Sequence, residues 1–261
     1  MNDLITDIQT IRHLPKCNGV PQVLFCYWSE GSMPEARKLS LDYLLTYAGV
    51  PVVLVNKKSF LTLSTDESPI HPAFDYLSAV HQSDYVRTYL WHYWGGGWHD
   101  IKASQVDLSC AWGEFSDPKV FFVGKPEHPK GPARVYDTDG RWMPDYWQEL
   151  VSVIAWVGRP KTKFSDAILS EMHTYLDGKL ADLRSHPGKH PREKKIQSKT
   201  QIGYAAKNVY QFLLGRDIYY PIPWTLFGNV FHPLNLVFKE HVSRKLPQDS
   251  IKNAGIYHRK R

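Results

Sequence analysis

Residues 22–55, QVLFCYWSEGSMPEARKLSLDYLLTYAGVPVVLV, decide the fold class of this chain. The apolar run at residues 22–28 predicts a buried strand. Residues 34–48 carry apolar side chains at helical spacing, and Gly49 is a helix stop signal. Residues 51–55 predict a second buried strand. A strand, a helix and a strand at this spacing indicate a βαβ unit, which begins a parallel sheet.

Further elements continue this α/β pattern. Residues 74–94 have apolar side chains at helical spacing, and they predict a long helix that the triple glycine 95–97 ends. A strand end or a tight turn is expected at residues 98–103. Two more core strands and an amphipathic helix are predicted at residues 120–123, 151–157 and 164–183.

Length and composition limit the classes of protein that fit. A chain of 261 residues corresponds to one large domain, or to one domain with a helical annex. Hydrophobic residues at 43% and charged residues at 22% exclude wholesale disorder. Aromatic residues at 13% suit a sugar or nucleobase site, and equally an aromatic-rich core.

The net charge of +6 favours anionic partners such as nucleotides, anionic glycans, nucleic acid or a lipid surface. Much of the excess lies at residues 189–199 and 257–261, which also fit solvated basic segments. The three cysteines are too few and too scattered for a disulfide framework or a zinc site, which suggests a reducing compartment. No signal-peptide pattern and no membrane-spanning run is found, so we expect a cytoplasmic protein, with peripheral membrane contact left open.

Most of the candidate catalytic and binding residues lie in one stretch, residues 83–102, SDYVRTYLWHYWGGGWHDIK. Asp84 and Arg87 are three residues apart and therefore share a helix face. The triple glycine stops the helix and allows the close backbone approach that a phosphate or a sugar requires. Asp100 lies just beyond this turn. Each feature alone also has a structural explanation, as a surface ion pair, a helix stop and a cap.

In this order, the residues resemble the motif of the GT32-like and capsular-polysaccharide-synthesis group of DxD-type sugar transferases. The matching residues are Ser83, Asp84, Arg87, Tyr93, Gly95, Gly96, Trp98 and Asp100. The likeness extends to residues 20–28 (VPQVLFCYW), 155–160 (AWVGRP) and 220–232 (YPIPWTLFGNVFH).

The resemblance implies a GT-A fold, in which a single Rossmann-like mixed sheet is flanked by helices and the C-terminal part is mainly helical. Residues 1–261 would form one such domain, with a nucleotide-sugar-binding core at 20–160 and a helical, acceptor-side region at 161–261. The implied activity is transfer of a monosaccharide from a nucleotide-diphosphate sugar, with UDP the commonest choice, to a hydroxyl of a glycan acceptor.

The resemblance also implies roles for single residues. Asp84 would contact the donor ribose or sugar, and Arg87 would orient Asp84 and help to neutralise the diphosphate. Asp100, the first acid of the DxD motif, would contact the ribose, the diphosphate or a bridging metal ion. The other residues expected to bind the donor or the acceptor sugar are Tyr27, Trp28, Ser83, Gly96, Gly97, Trp98, His99, Trp224 and His232.

Lys102 stands where a complete DxD motif has its second Asp. A lysine cannot ligate Mn²⁺ or Mg²⁺, which prefer oxygen ligands, but its ammonium can balance the charge of the leaving diphosphate. Two alternatives follow: Lys102 replaces the metal, or Asp100 still holds one together with His99 or His232. Metal independence is the favoured alternative. Arg87 and Arg159 are further candidate cations for the diphosphate.

The stereochemistry of transfer stays open. The resemblance suggests retention, in which the leaving phosphate helps to deprotonate the acceptor. Inversion would need a carboxylate base, for which Asp137 and Asp139 are the candidates, although D-T-D-G is also a strong turn sequence. A P-loop NTPase and a dinucleotide-binding enzyme lack their glycine motifs here. The rival hypothesis is a catalytically degenerate GT-A-fold module that binds glycan or nucleic acid through residues 189–199.

Overall fold

The computed structural model describes residues 4–29, 31–128, 146–189, 209, 221–222 and 226–247. Within them, a seven-stranded, mostly parallel sheet is flanked by helices, which confirms the predicted α/β class and is compatible with a Rossmann-like fold. The predicted site residues Asp137, Asp139 and Trp224 lie outside the described residues, as does nearly all of the basic stretch at 189–199.

Nine described strands form two sheets. They are β1 (Leu4–Ile5), β2 (Lys16–Cys17), β3 (Val20–Pro21), β4 (Leu24–Tyr27), β5 (Val52–Val55), β6 (Gly96–His99), β7 (Phe122–Pro126), β8 (Val151–Gly158) and β9 (Val242–Ser243). The central sheet has the order β1-β5-β4-β6-β8-β7-β9, and β2 pairs with β3. Among the described strands of the central sheet, β8 alone runs against its neighbours, β6 and β7.

Helices cover both faces of this sheet. They are α1 (Glu35–Tyr47), α2 (Lys57–Leu61), α3 (Ala79–Tyr93), α4 (Lys163–Asp177), α5 (Leu180–Ser185) and α6 (Phe227–Val237). The described residues after 160 are therefore mainly helical, as predicted, and β9 adds a strand at the sheet edge. In the described part of the chain, none of the helices combines the length and the apolar character needed to cross a lipid bilayer.

Two helices are shorter than the sequence predicts. Residues 74–94 do not form one helix, because Ser78 has extended backbone and its side chain caps α3 by accepting a hydrogen bond from the His81 amide. A separate 3₁₀ turn, Pro72–Tyr76, precedes it. The helix predicted at 164–183 is likewise divided near Gly178, where α4 ends and α5 follows.

The path of the chain around β4 creates a switch point in the sheet. Leu24 and Cys26 of β4 pack in the core under α1, whereas Phe25 and Tyr27 pack in the core under α3. The chain passes from β4 through α1 to β5, and it returns through α3 to β6 on the other side of β4. In open α/β sheets, ligands bind outside the carboxyl ends of the strands where the strand order reverses in this way.

Candidate functional site

Asp100 lies at the carboxyl end of β6, beside the switch point. β4 and β6 are parallel neighbours, so Trp28 and Asp100, which directly follow them, lie at the same sheet edge. The Asp100 amide donates to the Ile154 carbonyl of β8 at 2.9 Å. Arg37 of α1 donates from Nη1 to the Ile101 carbonyl, which fixes the turn that follows.

Asp100 and Lys102 form an ion pair at this edge. Lys102 Nζ lies 3.1 Å from Asp100 Oδ2, and the two side chains are 18% and 19% exposed. Asp100 Oδ1 accepts from Trp98 Nε1 at 3.2 Å and lies 3.2 Å from Arg87 Nη2. Burial would raise the pKa of Asp100, but the Lys102 ammonium and the Arg87 guanidinium hold it well below its ordinary value. The carboxylate therefore stays ionised and orients a partly solvent-exposed ammonium.

Asp84 caps a helix. Its Oδ2 accepts hydrogen bonds from the Leu226 and Phe227 amides at 2.9 and 3.1 Å, and so caps the first turn of α6. Its Oδ1 pairs with Arg87 at 3.2 Å, and its side chain is 6% exposed. Asp84 thus holds α6 against α3, and its predicted contact with the donor stays a prediction.

Arg87 is likewise enclosed by protein. Its Nη1 donates to the Val153 carbonyl at 2.9 Å, and its guanidinium lies over the rings of Trp98 and Phe227 at 4.9 and 5.2 Å. Ser83, which is half-buried, accepts from Arg87 through its carbonyl and its hydroxyl. Arg87 thus holds Asp100 and Asp84, and its predicted part in neutralising a diphosphate stays a prediction.

Arg159 lies near the amino end of β6, at the opposite end of that strand from Asp100. It follows β8, whose Gly158 pairs with Gly96 at the amino end of β6. Its guanidinium donates to the carbonyls of Asn18, Phe115 and Val120. Arg159 is thus not a cation of the Asp100 site, and its sequence-based assignment is corrected.

Gly96 and Gly97 lie close to β4 and to Val23, which precedes it. A Cβ atom on Gly96 would lie 2.9 Å from Val23 Cγ1, and one on Gly97 would lie 2.9 Å from Leu24 Cδ1. Gly96 also has a φ of +103°, which side chains rarely adopt. The predicted close backbone approach exists, but it allows β6 to begin and to pack beside β4.

The aromatic residues predicted to bind the donor are divided between core and edge. Tyr27 is buried and donates from its hydroxyl to Gln82 Oε1 at 3.0 Å. Trp98 is 1% exposed beneath Arg87. Trp28 is half-buried at the carboxyl edge, where its Nε1 donates to the Gly31 carbonyl at 3.3 Å. Of the three, Trp28 alone offers a ring that a ligand can reach.

The two histidines proposed as metal ligands are buried. His99 contacts the Asp100 carbonyl through Nδ1, and burial lowers its pKa to about 4, helped by the positive charges of Lys125 and Lys102. His232 of α6 is fully buried, and its Nε2 lies 3.4 Å from Glu127 Oε2. The structure thus pairs His232 with Glu127.

The donor set around Asp100 does not fit a divalent cation. An ammonium, a guanidinium and an indole N–H already occupy its two oxygens, and the two cations repel a metal ion. Across the part of the chain that the structure describes, no group of three or more His, Cys, Asp or Glu side chains is arranged to hold a metal.

Sequence reasoning missed two cations near this edge, Arg37 and Lys125. Arg37 reaches it from α1, and Lys125 of β7 adds its charge near His99. The signal for Lys125 was available, because it follows directly after a predicted core strand, where parallel strands gather their functional residues. Arg37 gave no such signal, because it lies within a helix.

Comparisons of the chain with models of protein families, with curated proteins and with solved structures find no match. Fold and site together define an α/β protein with a charged pair at the carboxyl edge of its sheet, beside a switch point. What this edge binds has to be inferred from its chemistry.

Proposed function

We propose that the chain is a glycosyltransferase of the GT-A fold, which moves a monosaccharide from a nucleotide-diphosphate sugar to a hydroxyl of a glycan. A UDP-sugar is the first donor to test. The observation that carries the proposal is the Lys102–Asp100 pair at the carboxyl end of β6, beside the switch point. An ammonium in this position suits the diphosphate of a bound nucleotide sugar.

The chemistry of transfer explains why a fixed ammonium is needed. The bond between the anomeric carbon and the diphosphate oxygen breaks, and a bond from that carbon to the acceptor oxygen forms. The acceptor proton passes to the leaving phosphate in a retaining enzyme, or to a carboxylate base in an inverting one. In both cases negative charge grows on the diphosphate, and a preorganised cation stabilises it.

The surrounding residues support Lys102 in this role. Asp100 orients the ammonium, and Arg87 and Trp98 in turn hold Asp100. Because this arrangement supplies positive charge without a metal, we propose that transfer is metal-independent. Trp28, which directly follows β4, would stack on the nucleobase of the donor.

One observation favours the alternative, a catalytically inactive GT-A-fold module that binds glycan or nucleic acid. Both oxygens of Asp100 are already used within the protein, as a purely structural ion-pair cluster would require. Such a module should bind no nucleotide sugar at the carboxyl edge. Binding to RNA that weakens steeply with salt and ignores the donor would support it.

A donor screen distinguishes the two functions. UDP-, GDP- and dTDP-sugars would be tested for thermal stabilisation of the protein and for release of free nucleotide, after exhaustive chelation and again with Mn²⁺. We expect one donor class to stabilise the protein and to be hydrolysed without metal. If no donor does either, the proposal fails. If activity vanishes on chelation and returns with Mn²⁺, metal independence is wrong.

A further inference from the structure

A second candidate site lies at the opposite end of β6 from Asp100. It is an open cleft of about 490 Å³, and Trp94 forms one of its walls. Trp94 precedes Gly95 and the start of β6, whereas Asp100 follows the last residue of that strand. Because β6 has four residues at about 3.3 Å each, more than about 13 Å separates the two sites.

A turn at Thr65 to Ser68 forms another part of the lining. The two residues exchange backbone hydrogen bonds at 3.3 and 3.1 Å. Tyr89 of α3 anchors the turn from below, because its hydroxyl contacts the carbonyls of Leu63 and Ser68 at 3.0 and 2.7 Å. Asp66 and Glu67, at the tip of this turn, are both exposed. Both residues line the cleft, and neither forms an ion pair with the described residues.

Arg12 completes the lining. Its guanidinium lies 5.4 Å from the centre of the Trp94 ring, and its side chain is exposed. A half-buried indole therefore stands beside planar charged groups that can each make two hydrogen bonds. A sugar ring needs this combination, since its C–H face packs on an aromatic ring and its hydroxyls pair with carboxylates and guanidinium.

The charge of the cleft selects among sugars. The described residues that line the cleft include two acidic side chains and one basic one, so their net charge is negative, although the chain as a whole carries +6. Anionic ligands such as a nucleotide diphosphate or an acidic glycan are therefore disfavoured here. The Lys102 edge and this cleft differ in sign, and they suit different ligands.

We infer that the Trp94 cleft is a glycan-binding site for uncharged or amino-sugar oligosaccharides, separate from the transfer site. Its binding chemistry does not depend on the proposed function. The role of the cleft does rest on the proposed function. In a glycosyltransferase, the cleft would hold a distant part of a long acceptor chain while the end of that acceptor reaches Lys102.

The test measures oligosaccharide binding directly. The full chain is labelled with 5-fluorotryptophan, the Trp94 signal is assigned with Trp94→Phe, and cellohexaose, mannohexaose and chitohexaose are titrated by ¹⁹F NMR. We expect at least one of them to shift the Trp94 signal. The double variant Asp66→Asn/Glu67→Gln should weaken that binding by at least about tenfold. Both substitutions are on the surface, so folding should be preserved.

The matched control removes two exposed carboxylates elsewhere, in Asp42→Asn/Glu171→Gln, and should bind like the unmodified chain. The inference is overturned if none of the three hexasaccharides shifts the Trp94 signal. It is also overturned if the Asp66/Glu67 double variant binds as tightly as the control.

A parallel measurement separates this inference from the proposed function. Nucleotide release from the donor is recorded for the same variants, with no oligosaccharide present. Loss of hexasaccharide binding with unchanged donor hydrolysis supports the cleft. Hexasaccharide binding at Trp94 in a protein that hydrolyses no donor contradicts the transferase proposal and leaves the cleft in place.

Discussion

Two ion pairs of nearly equal length differ in how much of their side chains solvent can reach. Asp84–Arg87 measures 3.2 Å and Asp100–Lys102 measures 3.1 Å. The first pair is closed off by α6 and by aromatic rings, with side chains 6% and 7% exposed, whereas the second is 19% and 18% exposed. The same stretch of sequence thus supplies residues that build the site and residues that can meet a ligand.

Arg87 connects the two pairs, because its Nη2 lies 3.2 Å from Oδ1 of both Asp84 and Asp100. We therefore expect that loss of the enclosed pair lowers the stability of the fold and that loss of the open pair lowers activity. The following variants are ordered by the size of the effect expected from this division.

Arg87→Ala should have the largest effect, a loss of about 3–5 kcal/mol in the free energy of unfolding, because it leaves a buried carboxylate without its cation. Urea unfolding followed by circular dichroism measures it. Lys239→Ala, which breaks the exposed Lys239–Glu149 pair, should leave the unfolding midpoint nearly unchanged. An Arg87→Ala protein as stable as this control would contradict the division.

Lys102→Ala should lower kcat by about 10²-fold with a smaller change in donor affinity, because the diphosphate charge grows toward the transition state. Steady-state kinetics of donor hydrolysis and donor titration separate the two effects. The control is Lys57→Ala, whose side chain is 23% exposed and pairs with Asp75 at 3.0 Å. Equal kcat values for the two variants would remove Lys102 from the mechanism.

Gly97→Ala should destabilise the fold by about 1–3 kcal/mol, since its new Cβ would overlap the core. The added atom lies 2.9 Å from Leu24 Cδ1, whereas a Cβ on Gly113 meets nothing within 4 Å. Gly113→Ala is therefore the control in thermal unfolding. If Gly97→Ala instead keeps full stability and loses donor binding, the glycine serves a ligand and not the sheet.

Mild acid should lower the free energy of unfolding through two histidines, His99 beside Asp100 and His173 away from both pairs. Burial lowers the pKa of His173 to about 4, and the charge of His71 adds to this. The unfolded chain, with an ordinary histidine pKa of about 6.5, therefore takes up the proton first. This contribution to stability is complete above about pH 6.5 and is lost as the pH falls toward 4.

Urea midpoints at pH 7 and pH 5 measure this loss, and His173→Gln should make it smaller. Asp100 keeps its charge over the same range, because its pKa is held low by Lys102 and Arg87. An undiminished loss in His173→Gln would assign the acid sensitivity to other groups.

Three strands of the central sheet could be predicted from sequence because each is a short apolar run that the core buries, whereas β6 was not, because its two glycines indicate a helix stop. β4, β5 and β8 lie within or next to the predicted segments. The two-residue strands β1, β2, β3 and β9 could not, because so short a segment has no periodicity. The start of α3 was missed because the Ser78 cap outweighs the helical pattern that begins before it.

The position of Asp100 and Lys102 could be predicted, because both follow a strand next to a helix stop. The contacts of Asp84 could not be predicted, since its two amide partners lie 142 and 143 residues away. Arg159 shows the same limit, because it donates to a carbonyl 141 residues earlier in the chain. Local sequence identifies charged residues at element ends, but long-range contacts decide which of them remain open to a ligand.

A crystal structure of the protein with UDP would show directly whether Lys102 meets a diphosphate. We expect the diphosphate at the carboxyl ends of β4 and β6, with an oxygen within hydrogen-bond distance of Lys102 Nζ and the uracil against Trp28. A structure in which UDP binds elsewhere and Lys102 contacts no atom of the nucleotide would contradict the proposal.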